Sequence, residues 1–181
     1  MRLFVALELP LAMRLQLATL SGGVPGARWV KVENYHLTLR FIGEVPPFRA
    51  EEIDWALSEL KARQFPLQLA GIGMFEKAGR VTSIWVGVVR DPRLDLLQAK
   101  IETALQRIGF DPERRRFAPH VTLARLDRPV TPKTTEFVQR HSLFRSDTLL
   151  VTYFTLFSSR LGKESAAYYS EAEYYLLPSS A

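Results

Sequence analysis

The sequence predicts an α+β protein built by duplication. The expected form is a bilobal fold with two mixed or antiparallel sheets facing a central cleft, helices outside, and a pseudo-twofold axis between the lobes. Three observations predict it. Segments of strand and helix character follow the order strand–helix–strand–helix–strand, and that order runs through twice. Landmarks of different kinds recur at nearly one offset: Pro10 and Pro92 lie 82 residues apart, His36 and His120 84, Phe75 and Phe157 82. The length, 181 residues with 47% hydrophobic, suits one sizeable domain or two small joined lobes.

In the first copy, Leu3 to Leu9 is apolar enough for a strand. Pro10 suits the first position of a helix, where a missing N–H costs nothing, and that helix runs to about Leu20 before Ser21-Gly22-Gly23 stops it. Tyr35 to Ile42 alternates with β-branched and aromatic content and ends at Gly43, as a strand should. Phe48 to Arg63 carries Ile53, Leu57 and Leu60 at helical spacing, and Leu67 to Phe75 returns as a strand.

The second copy repeats the pattern. Val81 to Val89 is a strand, and Asp91-Pro92 reads as an N-cap followed by a first-turn proline. The helix they open has Leu94, Leu97, Ile101, Leu105 and Ile108 on its apolar face and stops at Gly109. His120 to Arg125 is a strand, Pro132 to about Arg140 a helix, Thr148 to Phe157 a strand, and Tyr168 to Leu177 a last strand. One bilobal domain, residues 1–181, is therefore expected, with repeats over roughly 1–76 and 80–160, a nominal boundary at Glu76 to Arg80, and a C-terminal strand at 168–177.

Composition narrows the function classes. No apolar stretch approaches a membrane span, Glu8 comes too early for a secretory core, and the absence of cysteine excludes disulfides and thiolate metal sites. A cytoplasmic protein without a membrane or an obligate protein partner, a monomer, is the simple expectation. The net charge is +5, and Arg107, Arg114, Arg115, Arg116, Arg125 and Arg128 fall close together with only Asp111, Glu113 and Asp127 to offset them. Such a balance suits a nucleotide or RNA end, and equally a generic basic surface.

The chemistry lies in two matching segments, His36-Leu37-Thr38-Leu39 and His120-Val121-Thr122-Leu123. Alternate side chains of a strand share a face. His36, Thr38 and Arg40 then point one way, and His120, Thr122 and Ala124 do so in the other copy. Facing lobes would bring two imidazoles and two hydroxyls to one cleft. That set fits phosphodiester hydrolysis: a neutral imidazole takes a proton from water, an imidazolium gives one to the leaving oxygen, and the hydroxyls hold phosphate. No metal or other cofactor is required by this scheme, and His-x-Thr lacks the ligand set of zinc. One His-x-Thr alone is a common strand tripeptide; equivalent places in a duplicated frame give the pair its weight. The third histidine, His141, falls at an expected helix end and reads as exposed or capping.

The segments His36-Leu37-Thr38-Leu39-Arg40-Phe41-Ile42-Gly43-Glu44 and Phe117-Ala118-Pro119-His120-Val121-Thr122-Leu123-Ala124-Arg125 resemble the two signature motifs of the two-histidine phosphoesterase superfamily. Within it the chain resembles the RNA 2',3'-cyclic phosphodiesterases, or 2'-5' RNA ligase-like proteins. The likeness runs nearly end to end, from Arg2-Leu3-Phe4-Val5-Ala6-Leu7 to a looser match around Tyr169 to Leu177. It implies metal-independent hydrolysis of 2',3'-cyclic phosphate ends of RNA to 2'-phosphates, with reversible 2'-5' ligation by the same groups. It also implies His36 as proton donor, His120 as proton acceptor, and phosphate binding by Thr38 and Thr122. Arg125 matches the basic residue closing the second motif, yet strict alternation puts it opposite His120, so it serves phosphate only if the strand twists or ends there. Arg40, on the His36 face by alternation, is the other expected phosphate-binding arginine, its fork suited to phosphate or ribose. Phe41 and Phe117 suit base stacking or core packing. Two other functions fit the same motifs: a cyclic phosphodiesterase acting on small ADP-ribose-type nucleotides, and a non-catalytic module that binds RNA ends.

Overall fold

A computed structural model describes residues 1–179 of the chain. The first strand, β1 (Arg2–Glu8), is apolar from Leu3 to Leu7 because both its faces are covered there. Leu3, Val5 and Leu7 enter the main core, while Phe4 and Ala6 join Phe157 in a smaller cluster on the opposite face. Pro10 caps α1 (Leu11–Ala18), one residue earlier than the first-turn place expected for it. A two-residue strand, β2 (Arg28–Trp29), and a single 3-10 turn at Val32–Asn34 lead into β3 (His36–Glu44). Helix α2 (Pro47–Ser58) ends before the expected Arg63, and β4 (Phe65–Lys77) follows.

The second copy runs through β5 (Arg80–Val88), α3 (Pro92–Arg107), β6 (His120–Pro129) and α4 (Pro132–Arg140). Asp91 caps α3 as its sequence predicts, accepting the Arg93 N–H at 2.9 Å. The expected strand over Thr148 to Phe157 is two strands, β7 (Arg145–Val151) and β8 (Tyr153–Leu161), separated at Thr152; β9 (Ala166–Tyr175) closes the chain.

These strands form two antiparallel sheets, one of order β3-β1-β8-β9 and one of order β2-β6-β5-β4-β7. Each sheet draws on both halves of the sequence. The nominal boundary near residues 76–80 is a tight hairpin that pairs β4 directly with β5, with Ala78 at φ 52° and Gly79 at φ 75° as a type I′ tip requires. The third strand of the first repeat thus lies beside the first strand of the second. Reciprocally, β8 from the second repeat lies beside β1. The break at Thr152 follows from this exchange, since β7 pairs with β4 while β8 belongs to the other sheet.

A continuous apolar core fills the space between the sheets and the helices, with Leu37, Leu39, Ile84, Val86, Leu97, Ile101, Val121 and Leu123 in it. The opposite faces of β3 and β6 are left for polar residues, and these two strands run close together where the sheets meet. No helix among the described residues is long and apolar enough to cross a membrane.

Candidate active site

His36 opens β3 and His120 opens β6, each half-buried beside buried apolar neighbours. The Nδ1 of His36 lies 2.7 Å from the carbonyl oxygen of Asn34, and the Nδ1 of His120 lies 2.6 Å from that of Ala118. A carbonyl only accepts, so Nδ1 carries the proton on both rings and each neutral imidazole leaves Nε2 as its free base. Both partners are the residue two places upstream, so the two copies hold their histidines in one way. The Thr38 hydroxyl, 3.0 Å from the His36 Nε2, donates to it in this tautomer.

Aromatic rings fix both imidazoles. Phe4 and Tyr168 lie 5.0 and 5.2 Å from the His36 ring, the latter edge-on. Phe75 stands edge-on to His120 at 4.9 Å, with Trp85 at 6.2 Å. Gly73 makes room for Trp85, because a Cβ there would collide with the indole.

Electrostatics tie the two strands to one cleft. Burial pushes the His36 imidazole below its ordinary 6.5; the Asn34 carbonyl pulls it up, and Arg125 and His120 push it further down. Burial also lowers His120, against its bond to Ala118 and with the help of Arg125. The guanidinium of Arg125 therefore acts on both histidines.

This reverses the expectation from strict alternation, and the cause is a β-bulge in each copy. Along β6, Ile84 pairs with Ala124 but Trp85 with Thr122, so Leu123 is an extra residue. Leu123 and Ala124 are both buried, and Arg125 returns to the face of His120 and Thr122. Along β3, Val5 pairs with Arg40 but Ala6 with Thr38, which makes Leu39 the extra residue and turns Arg40 to the helical side. There Arg40 is ion-paired with Glu102 at 2.6 Å and donates to the backbone carbonyls of Phe41 and Asp111. The side chains of Arg40 and Glu102 are only 10% and 16% exposed, so this arginine is committed to the fold and does not join the histidines. In its place Phe41, 44% exposed, faces the cleft and stacks on Phe4 at 5.8 Å, while Phe117 packs against the core.

Two residues that sequence reasoning missed lie in the same rows as the threonines. Trp85 pairs with Thr122, and Thr155 lies across Ala6 from Thr38. The Trp85 Nε1 and Thr155 Oγ1 are buried with no hydrogen-bond partner among the described residues. His141 caps α4 with its ring 4.7 Å from Phe137, outside this cleft. A hollow of about 660 Å³ on the outer face of α2, between Phe48, Trp55 and Ile108, holds no histidine. No group of three or more His, Cys, Asp or Glu side chains close enough to hold a metal ion occurs among the described residues.

A duplicated pair of sheets with one His-x-Thr segment on each is the arrangement that the resemblance to two-histidine phosphoesterases implies. The LigT-like phosphoesterase profile matches twice, at residues 7–85 and 86–168, and the chain belongs to that family. Among curated relatives, an RNA 2',3'-cyclic phosphodiesterase of Aeropyrum pernix is 42% identical over 105 residues, which span 58% of this chain and 59% of that one. Another of that name, from Archaeoglobus fulgidus, is 31% identical over 145 residues, spanning 78% of this chain and 81% of its own. The solved structure of E. coli LigT complexed with 3'-AMP superposes with a TM-score of 0.80 at 26% identity, covering 97% of both chains.

Proposed function

We propose that the cleft hydrolyses 2',3'-cyclic phosphate ends of RNA to 2'-phosphates by general acid–base catalysis. The observation that carries this reading is the matched tautomer: each imidazole has its Nδ1–H tied to a carbonyl, which leaves Nε2 as the nitrogen for proton transfer on both rings, that of His36 beside the Thr38 hydroxyl. The names of the relatives support the substrate. Water attacks phosphorus while the Nε2 of His120 takes its proton; the bond from phosphorus to O3' breaks as the protonated Nε2 of His36 gives its proton to that oxygen. A new O–P bond forms, the 2'-ester is kept, and each histidine ends in the state in which the other began. Thr38, Thr122 and Arg125 hold the non-bridging oxygens, where charge builds during attack. Every proton and charge in these steps is handled by the chain's own side chains, so activity is expected to persist in EDTA. A 5'-hydroxyl in place of water would give a 2'-5' linkage by the same groups.

The donor and acceptor roles follow the resemblance and are separable by leaving group. An aryl phosphodiester needs little acid assistance. His36→Ala should therefore lose far less activity on it than on cyclic-ended RNA, while His120→Ala should lose both. Equal losses on both esters in both variants would reject the assignment.

A further inference from the structure

We propose that Arg28 binds the internucleotide phosphate next to the cyclic end, so that the cleft selects oligonucleotides over cyclic mononucleotides. This rests on the cyclic-phosphate reading of the histidine pair. Arg28 lies on β2, the edge strand beside β6, and pairs directly with Arg125. Directly paired residues point the same way, with Cβ atoms about 4.5–5.5 Å apart, so Arg28 shares the cleft face with the arginine that acts on both histidines.

Like charges placed directly opposite on a sheet destabilise it. Elsewhere the protein pairs some of its arginines with acids: Arg40 with Glu102, Arg80 with Asp127, Arg93 with Asp91. Asp127, the acid nearest to Arg125 in the chain, is taken by Arg80 through both its carboxylate and its carbonyl. For Arg28 and Arg125 the ion pairs and hydrogen bonds among the described residues supply no acidic partner. Their juxtaposition is maintained by the backbone, since Val30 N–H donates to the Leu123 carbonyl at 2.8 Å and fixes β2 on β6. Gly26, at φ 77°, lets the turn before β2 lie against Arg128, where a Cβ would collide with the guanidinium.

Two unanswered guanidiniums on one face suit an anion with more than one phosphate. If Arg125 holds the cyclic phosphate beside the histidines, Arg28 stands one strand further out, about 4.8 Å, on a flexible stem at the exposed rim. That is the reach of the next phosphate along the strand. A cyclic mononucleotide offers nothing there.

The test compares kcat/KM on a dinucleotide and a mononucleotide, both ending in a 2',3'-cyclic phosphate, for the parent chain, Arg28→Lys and Arg28→Ala. The parent should prefer the dinucleotide. Arg28→Ala should lower the dinucleotide-to-mononucleotide ratio about tenfold, and Arg28→Lys should keep most of it. For the dinucleotide, the slope of log affinity against log salt should fall by about 0.7 on loss of this one cation. An unchanged ratio in Arg28→Ala would overturn the proposal. If the parent turned over neither substrate, the cyclic-phosphate reading would fail, and Arg28 would be judged by binding of a dinucleotide ending in a 2'-phosphate. A tenfold weaker affinity in Arg28→Ala would then support its phosphate role, and an unaltered affinity would reject it.

Discussion

Phe75, from the first sequence repeat, stands edge-on to His120 from the second, with ring centroids 4.9 Å apart and planes at 88°. Its counterpart 82 residues later, Phe157, stacks on Phe4 and lies 6.4 Å from His36 of the first repeat. Each repeat therefore supplies one aromatic ring beside the other repeat's histidine, because β4 and β8 are exchanged between the sheets. Phe75→Ala should release the His120 ring and lower kcat/KM roughly tenfold. With the side chain 37% exposed, the stability cost should stay near 1 kcal/mol. Steady-state kinetics beside a denaturant titration checks both.

Trp85 is held against His120 by the bare backbone of Gly73. Gly73→Ala should push the indole out of place, costing about 1–3 kcal/mol from overpacking and more than tenfold in turnover. A variant with unchanged Tm and kcat would contradict the packing role of that glycine.

The histidines set the pH dependence. Both are lowered from 6.5, so the state with one imidazole protonated and one neutral is populated on the acid side of 6.5, and kcat/KM should peak there. Arg125→Ala removes a cation that lowers both, so the optimum should move to higher pH while the rate falls through weaker phosphate binding. For stability the sign follows from linkage. Above 6.5 both rings are neutral in the folded and unfolded chain, and nothing changes. Between 6.5 and the lower folded values the unfolded chain takes protons first, so stability falls on acidification; below the folded values the loss is complete. His36→Ala should remove its share of that loss, as read from Tm against pH.

Arg40→Ala should be a stability variant. Losing one partner of the shielded Arg40–Glu102 pair should cost about 1–3 kcal/mol, because Glu102 is left without its cation. Burial pushes the Glu102 carboxyl up, but the Glu113 N–H, Arg40 and Gln106 together hold it below its ordinary value. Its stabilisation is thus present above the unfolded carboxyl pKa and lost as pH falls through the folded one. Turnover per folded molecule should change less than tenfold. A hundredfold loss in kcat with Tm intact would return Arg40 to the phosphate.

The duplicated α+β class was legible because capping prolines, paired histidines and helix periodicity are local signals that recur. The exchange of β4 and β8 was not, since strand partners are chosen by hairpin geometry and by the long connections, which periodicity does not encode. The run from Thr148 to Phe157 reads as one strand because Thr152 interrupts pairing without interrupting β-propensity. The arginines were misplaced for one shared reason. An extra leucine in each motif strand, Leu39 and Leu123, shifts the alternation by one residue, which sends Arg40 to the helices and returns Arg125 to the cleft. The adjacent apolar pair Leu123-Ala124 was the signal that strict alternation had failed. Arg28 gave no signal at all, because its two-residue strand is too short for a pattern.

The central claim is that His36 and His120 act as one acid–base pair. The most direct measurement is single-turnover hydrolysis of an RNA ending in a 2',3'-cyclic phosphate, with the product ester identified, for the parent and for His36→Ala and His120→Ala shown to be folded. The account predicts a 2'-phosphate product and at least about a hundredfold loss in each variant, with the double variant little worse than either single one. Near-parental turnover in either folded variant, or a 3'-phosphate product, would contradict it.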